Sequence, residues 1–167
     1  EEIGAQTPWE ATTFGQVCEY ITVGYVGKMA DQYVEDGIPF LRSLNVRPLR
    51  FDEADLAFIS PEFHETLKKS ALAPGDLAVV RTGDPGQCCV IPESLPEANC
   101  SDLVIARPGP ELLPEFGALV INSSLGQGFV RSEQVGVAQA HFNVGSMKRA
   151  PLNLPPFAEQ HEIVRRA

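Results

Sequence analysis

Apolar residues along this chain come in short bursts broken by polar runs, glycines and prolines, never in one long stripe. Bursts of that length, bounded by turn formers, predict strands. "GIPFLRSLNV" (Gly37–Val46) opens on a turn glycine and predicts a strand running into a polar loop. "DLAVVRTG" predicts a buried strand, Asp84-Pro85-Gly86 a turn, and "QCCVI" the returning arm of a hairpin. "SDLVIARP" and "QAHFNV" add two more strands. Helical periodicity is confined to short stretches. Phe14–Glu19 has Thr12 or Thr13 before it as a cap. A second helix runs from Pro61 towards Lys69, with Ser60 as N-cap and Pro61 in the first position. Two more cover about Glu115–Ser123 and Gly126–Gln134, and Ser146 caps a single turn carrying Lys148 and Arg149. The mixture predicts an α+β domain: a curved, mainly antiparallel sheet with short flanking helices, followed by the start of a long helix.

That last element is "NLPPFAEQHEIVRRA" (Asn153–Ala167), to which "PLNL" leads. Pro155 and Pro156 end what precedes them and suit a helix start. Phe157 and Val164, with Ala158 and Ile163 less cleanly, form an apolar side, while Glu159, Glu162, Arg165 and Arg166 face away. A helix so short is marginal in water without a partner. The expectation is a domain over 1–154 and the truncated N-terminal turns of a spacer helix over 155–167. The missing initial methionine at Glu1 points the same way, to a fragment. The a/d-like spacing of Phe157 and Val164 suits an antiparallel coiled pair. Phe157, Ile163 and Val164 are therefore expected at a helix interface, the helix either fraying or pairing two copies into a dimer.

Composition narrows the class. With 167 residues, 44% of them hydrophobic, the chain can bury one good core. No apolar run approaches a membrane span, and no charged-then-apolar pattern of a leader opens the sequence, so neither is expected. None of the four cysteines forms a C-x-x-C pair, and Cys88 and Cys89, adjacent on a strand, must point to opposite faces. Reduced, partly buried thiols in a cytoplasmic protein are expected. His64, His141 and His161 show no ligand spacing, so no metal site is expected. The net charge of −9 argues, taken alone, against nucleic acid. The charges are uneven, however. Asp52, Glu53, Asp55, Glu62 and Glu65 crowd one stretch, and Glu93, Glu97, Asp102, Glu111 and Glu115 another. Arg42, Arg47 and Arg50 have no acid between them, and from Gly117 to Pro151 Glu133 alone faces Arg131, Lys148 and Arg149.

No active site assembles from the motifs. "NLPPF" approaches the acceptor-Pro-Pro-aromatic motif of DNA amino-methyltransferases, but Leu154 stands where the acceptor is needed and Asn153 is one place early. No glycine-rich turn for S-adenosylmethionine, phosphate-binding loop or nucleophile elbow is present. "NSSLGQG" has no obvious histidine partner. What remains is polar and basic residues near strand ends and turns: Lys28; Arg42, Ser43 and Asn45; Arg81 and Thr82; Gln139 and His141; Lys148 and Arg149. Singly, each is more often a local cap or a solvated charge. Together they are the residue types that clamp phosphates and read base edges. Composition leaves the choice open.

The order of segments goes further. "GIPFLRSLNV", "LAPGDLAVVRTGDPGQCCVIPE", "EANCSDLVIARP", "QAHFNVGSMKRAPLNLPP" and "LPPFAEQHEIV" resemble, in sequence and separation, the target recognition domain of type I restriction–modification specificity subunits. The L-P-P-F-x-E-Q segment, which opens a long helix in that family, is the most specific. Gly109–Val137 matches most loosely. The resemblance implies a non-catalytic reader of double-stranded DNA, cytoplasmic, without membrane contact and without a cofactor of its own. In the family a whole subunit carries two such domains, separated by two antiparallel helices, and each reads half of a split site. Methyltransferase subunits dock on the helices and hold S-adenosylmethionine, and a separate restriction subunit cuts. The resemblance makes the ten polar and basic residues above the candidate DNA contacts. Two other readings stand beside it: the recognition domain of a fused single-chain restriction–methyltransferase, and an assembly module with weak DNA contact.

Overall fold

The structure, a computed structural model, describes residues 8–136 and 141–167. Its first strand, β1 (Glu10–Thr13), leads through one helical turn, α1 (Phe14–Val17), into β2 (Cys18–Val23). The helix expected over Phe14–Glu19 is therefore cut short. Phe14 and Val17 are buried as an amphipathic turn requires, but from Cys18 the chain pairs with another strand. Thr13 makes no side-chain cap; instead the Phe14 N–H donates to the Ala150 carbonyl at 3.0 Å. Next come β3 (Tyr33–Val34), β4 (Ile38–Leu41), the short ribbon β5 (Val46–Arg47) and β6 (Arg50–Phe51), and β7 (Ala57–Ile59). Helix α2 (Pro61–Thr66) begins as expected, the Phe63 N–H donating to Ser60 Oγ at 3.0 Å, then tightens into a 3₁₀ turn at Lys68–Ser70.

Strands β8 (Leu77–Val80) and β9 (Cys88–Val90) form the expected hairpin, followed by β10 (Asn99–Cys100) and β11 (Leu103–Pro108). Helices α3 (Pro114–Asn122) and α4 (Ser124–Ser132) fall close to their expected places. The strand expected over "QAHFNV" fails where it can be seen. His141–Asn143 is irregular, and the rest of the segment before it lies outside the described residues. Helix α5 (Val144–Arg149) follows, and its cap is Asn143, whose Oδ1 accepts from the Ser146 N–H at 2.8 Å, rather than Ser146. "PLNL" is itself a strand, β12 (Pro151–Leu154), antiparallel to β1, and α6 (Phe157–Arg166) closes the chain.

Two four-stranded sheets carry the fold, in orders β2-β11-β8-β9 and β10-β4-β7-β3. The first is antiparallel throughout and the second has one parallel pair, β10 with β4. The central strands of the first sheet are buried on both faces, which explains why "LAVV" and "LVIA" are apolar without alternation. Leu77, Val79, Val104 and Ala106 face one core with Phe14, Phe116, Ile121, Phe142 and Met147. Ala78, Val80, Leu103 and Ile105 face the other, with Leu41, Val46, Leu72 and Ile91. Cys88 and Cys89 fall in opposite cores, as their adjacency requires. Burial pushes the Cys18 and Cys89 thiols up to about 12.

The closing helix packs on the domain that precedes it. Gln160 is fully buried. Its Oε1 accepts from the Leu113 N–H at 2.8 Å, and its Nε2 donates to the carbonyls of Glu111 (2.8 Å) and Pro155 (2.9 Å). Ile163 and Val164 pack against the first core, where the helix meets α3. Of the three expected interface residues only Phe157 stays largely open, 45% exposed, with its ring edge-on to His161. No helix among the described residues is long and apolar enough to cross a membrane.

Candidate nucleic-acid interface

Sheet register brings several nominated residues to one end of the fold. Strand β4 ends at Leu41 and delivers Arg42; β8 ends at Val80 and delivers Arg81 and Thr82. Ser101 and Asp102, between β10 and β11, join them. The Ser101 N–H donates to the Leu41 carbonyl at 3.0 Å. Arg81 Nη1 donates to Asp102 Oδ1 at 2.7 Å, and the Thr82 hydroxyl to Asp102 Oδ2 at 2.5 Å. The Phe142 N–H donates to the Arg81 carbonyl at 2.9 Å, laying His141–Asn143 along the β8 end. From there Gln134 Nε2 reaches the His141 carbonyl at 3.4 Å, and Arg149 binds Glu133 Oε1 through Nη2 (2.6 Å) and Nε (3.1 Å). Arg42, Arg81, Thr82, His141 and Arg149 thus lie on one connected band. Lys148 adjoins Arg149, exposed and with no ion pair among the described residues.

Other nominated residues have different duties. Asn45 is fully buried. Its Oδ1 accepts from the Arg42 N–H at 2.9 Å, and its Nδ2 donates to the carbonyls of Asp52 (2.8 Å) and Ala54 (3.1 Å). It fastens the segment that follows β6 and, fully buried, cannot reach a base. Ser43, half-buried, opens the 3₁₀ turn that carries Asn45. On the band itself, Arg42 is held by the Asp55 carbonyl at 2.6 Å and lies 5.7 Å from the Tyr33 ring centroid. Lys28 is exposed in the loop between β2 and β3. Gln139 lies outside the described residues.

Two arginine–aspartate pairs, one at each end of β11, are held differently. Arg107, at the far end of β11, binds Asp76 through both Nε (2.8 Å) and Nη2 (2.9 Å). Asp76 is 1% exposed, also accepts from the Ala73 N–H, and raises the Arg107 pKa through that pairing. Tyr20 covers the guanidinium, 4.7 Å from its carbon. Arg107 is spent on the fold. Arg81, 26% exposed against 33% for Arg107, touches Asp102 with one nitrogen only, and Asp102 itself is far less buried than Asp76. Sequence reasoning overlooked Asp102, counting it as one more acid in an acidic stretch. Its one local signal is structural: φ of 54°, a left-handed backbone that non-glycine residues seldom adopt.

No protein-family model matches the chain. Over 136 residues, 80% of this chain, it is 30% identical to the type I restriction enzyme EcoBI specificity subunit of Escherichia coli. The chain resembles part of a type I specificity subunit. It spans 28% of that relative's length. Solved structures agree on the fold. A chain of the type I R-M system, from work on its complex assembly and conformational transition, matches with a TM-score of 0.70 at 18% identity, over 99% of this chain and 39% of that one. The HsdS subunit from Thermoanaerobacter tengcongensis matches with a TM-score of 0.69 at 19% identity, over 99% and 38%. The α+β class expected from the sequence is the fold this chain shares with both structures.

Proposed function

We propose that this chain is a target recognition domain that reads one half of a split DNA site for a type I restriction–modification complex. The observation that carries it is the connected band at the strand ends, where Arg42, Arg81, Thr82, His141 and Arg149 meet the residue types needed for phosphate and base-edge contacts. Residues 1–154 make up the reader and 155–167 open a spacer helix. The chain itself is non-catalytic. S-adenosylmethionine belongs to methyltransferase subunits, which dock with the restriction subunit on the same assembly, in the cytoplasm.

Titration of fluorescent duplex DNA by anisotropy tests this. Lys148→Ala and Arg81→Ala weaken binding, whereas Arg107→Ala, on a side chain roughly 16 Å along β11 from the band at a strand's rise per residue, leaves it unchanged once folding is matched. Equal effects of all three place the DNA elsewhere. Calorimetry with S-adenosylmethionine should give no heat; micromolar binding by this chain removes the non-catalytic reading.

A further inference from the structure

We infer that Asp102 is a positioning residue for sequence reading: it turns Arg81 from a phosphate clamp into a reader of guanine. This rests on the DNA-reading role proposed above and adds a residue and a base to it. Asp102 is not built like a stabilising partner. It is about a third exposed, where Asp76 under Arg107 is 1% exposed. Its two oxygens are divided, one to Arg81 Nη1 and one to the Thr82 hydroxyl, so the carboxylate cannot rotate to take the arginine side-on. Nε and Nη2 of Arg81 make no hydrogen bond among the described residues, and neither is enclosed. The arginine, 26% exposed, is thus clamped at one nitrogen with two of its donor nitrogens unpaired and accessible.

That arrangement has two chemical consequences. A planar pair of outward N–H groups matches the two acceptors, O6 and N7, on the major-groove edge of guanine. The negative charge beside it cancels Arg81 and repels a phosphate at the same spot, so the arginine gains little from the DNA backbone. An unpaired arginine would bind any sequence through phosphates; this one is biased towards a base. The left-handed backbone at Asp102 is a local cost retained at the centre of the band.

Selection from a duplex pool with randomised positions tests this, using wild type, Asp102→Asn and Arg81→Lys, followed by anisotropy on the enriched and a scrambled duplex. Asparagine tolerates the left-handed backbone as well as aspartate does. The wild type enriches a motif containing an essential guanine. Asp102→Asn binds the scrambled duplex as well or better, with a salt slope steeper by about 1, and discriminates at that guanine at least tenfold less. Arg81→Lys keeps the charge and the ion pair but has no fork; it loses the same guanine while other positions of the motif persist, and it decides the matter if Asp102→Asn folds poorly. A wild type that enriches nothing removes the DNA-reading role and this assignment with it. A wild-type motif that both variants reproduce with equal discrimination overturns the assignment alone.

Discussion

Asn45 and Arg81 look alike in sequence, each a polar residue just past an apolar run, yet one is fully buried under a loop and the other stays partly exposed. What separates them is the β5–β6 ribbon folding over Asn45, a tertiary event with no signature in "RSLNV". Asn45→Ala should cost about 1–3 kcal/mol by stranding the Asp52 and Ala54 carbonyls, seen as a lower denaturation midpoint, with the choice of DNA sequence unchanged. The cysteines were more legible, since adjacency on a strand already put Cys88 and Cys89 on opposite faces. Their burial makes a pH prediction. An exposed thiol ionises near 9.0, whereas buried Cys89 is held up to about 12. The stability it supports is complete below pH 9 and falls as the unfolded chain alone sheds the proton, by about 1.4 kcal/mol per pH unit up to pH 12. Urea unfolding at pH 8 and pH 10.5 should show Cys89→Ala losing less stability over that interval than wild type; an equal loss would place Cys89 in contact with solvent.

At the scale of elements, what could be read was whatever a local pattern decides. Ser60-Pro61 started α2, and the apolar runs of β8 and β11 gave the sheet centre. What could not be read depended on pairing partners distant in sequence. "PLNL" became a strand because β1, some 140 residues earlier in register (Thr12 opposite Leu152), lies alongside it. Helix α6 is the clearest instance. Its pattern showed an apolar stripe in which Gln160 had no part, yet Gln160 is the most buried residue of the helix and its main anchor. Gln160→Ala strands the Leu113 N–H and two carbonyls. Hydrogen exchange should then quicken over Glu159–Arg166 by one to two orders of magnitude, for a loss of about 1–3 kcal/mol. Amides of β8 and β11 should keep their protection. If α6 exchanges no faster, Ile163 and Val164 alone hold it to the domain.

At the scale of the whole molecule, a net charge of −9 and a DNA-reading role look opposed until the charges are placed. Arg47 and Arg50 flank Asp52, Arg107 is locked on Asp76, and Arg165 and Arg166 share Glu162, so much of the basic complement is neutralised within the fold. Lys28, Arg42, Lys69, Arg131 and Lys148 have no carboxylate partner among the described residues; of these Arg42 lies on the band, Lys148 adjoins it and Arg131 stands close by on α4. In the proposed role, a protein so arranged would meet the phosphates with few free cations and repel them over much of the rest of its surface. Each phosphate neutralised contributes about −0.9 to the slope of log K against log salt, so three give a slope of about −3 rather than the −10 of a strongly basic binder. Anisotropy titrations between about 50 and 200 mM salt should give that shallow slope, and Lys148→Ala should reduce it by about one. A steep slope that Lys148→Ala does not change would put the DNA on a basic surface other than this band.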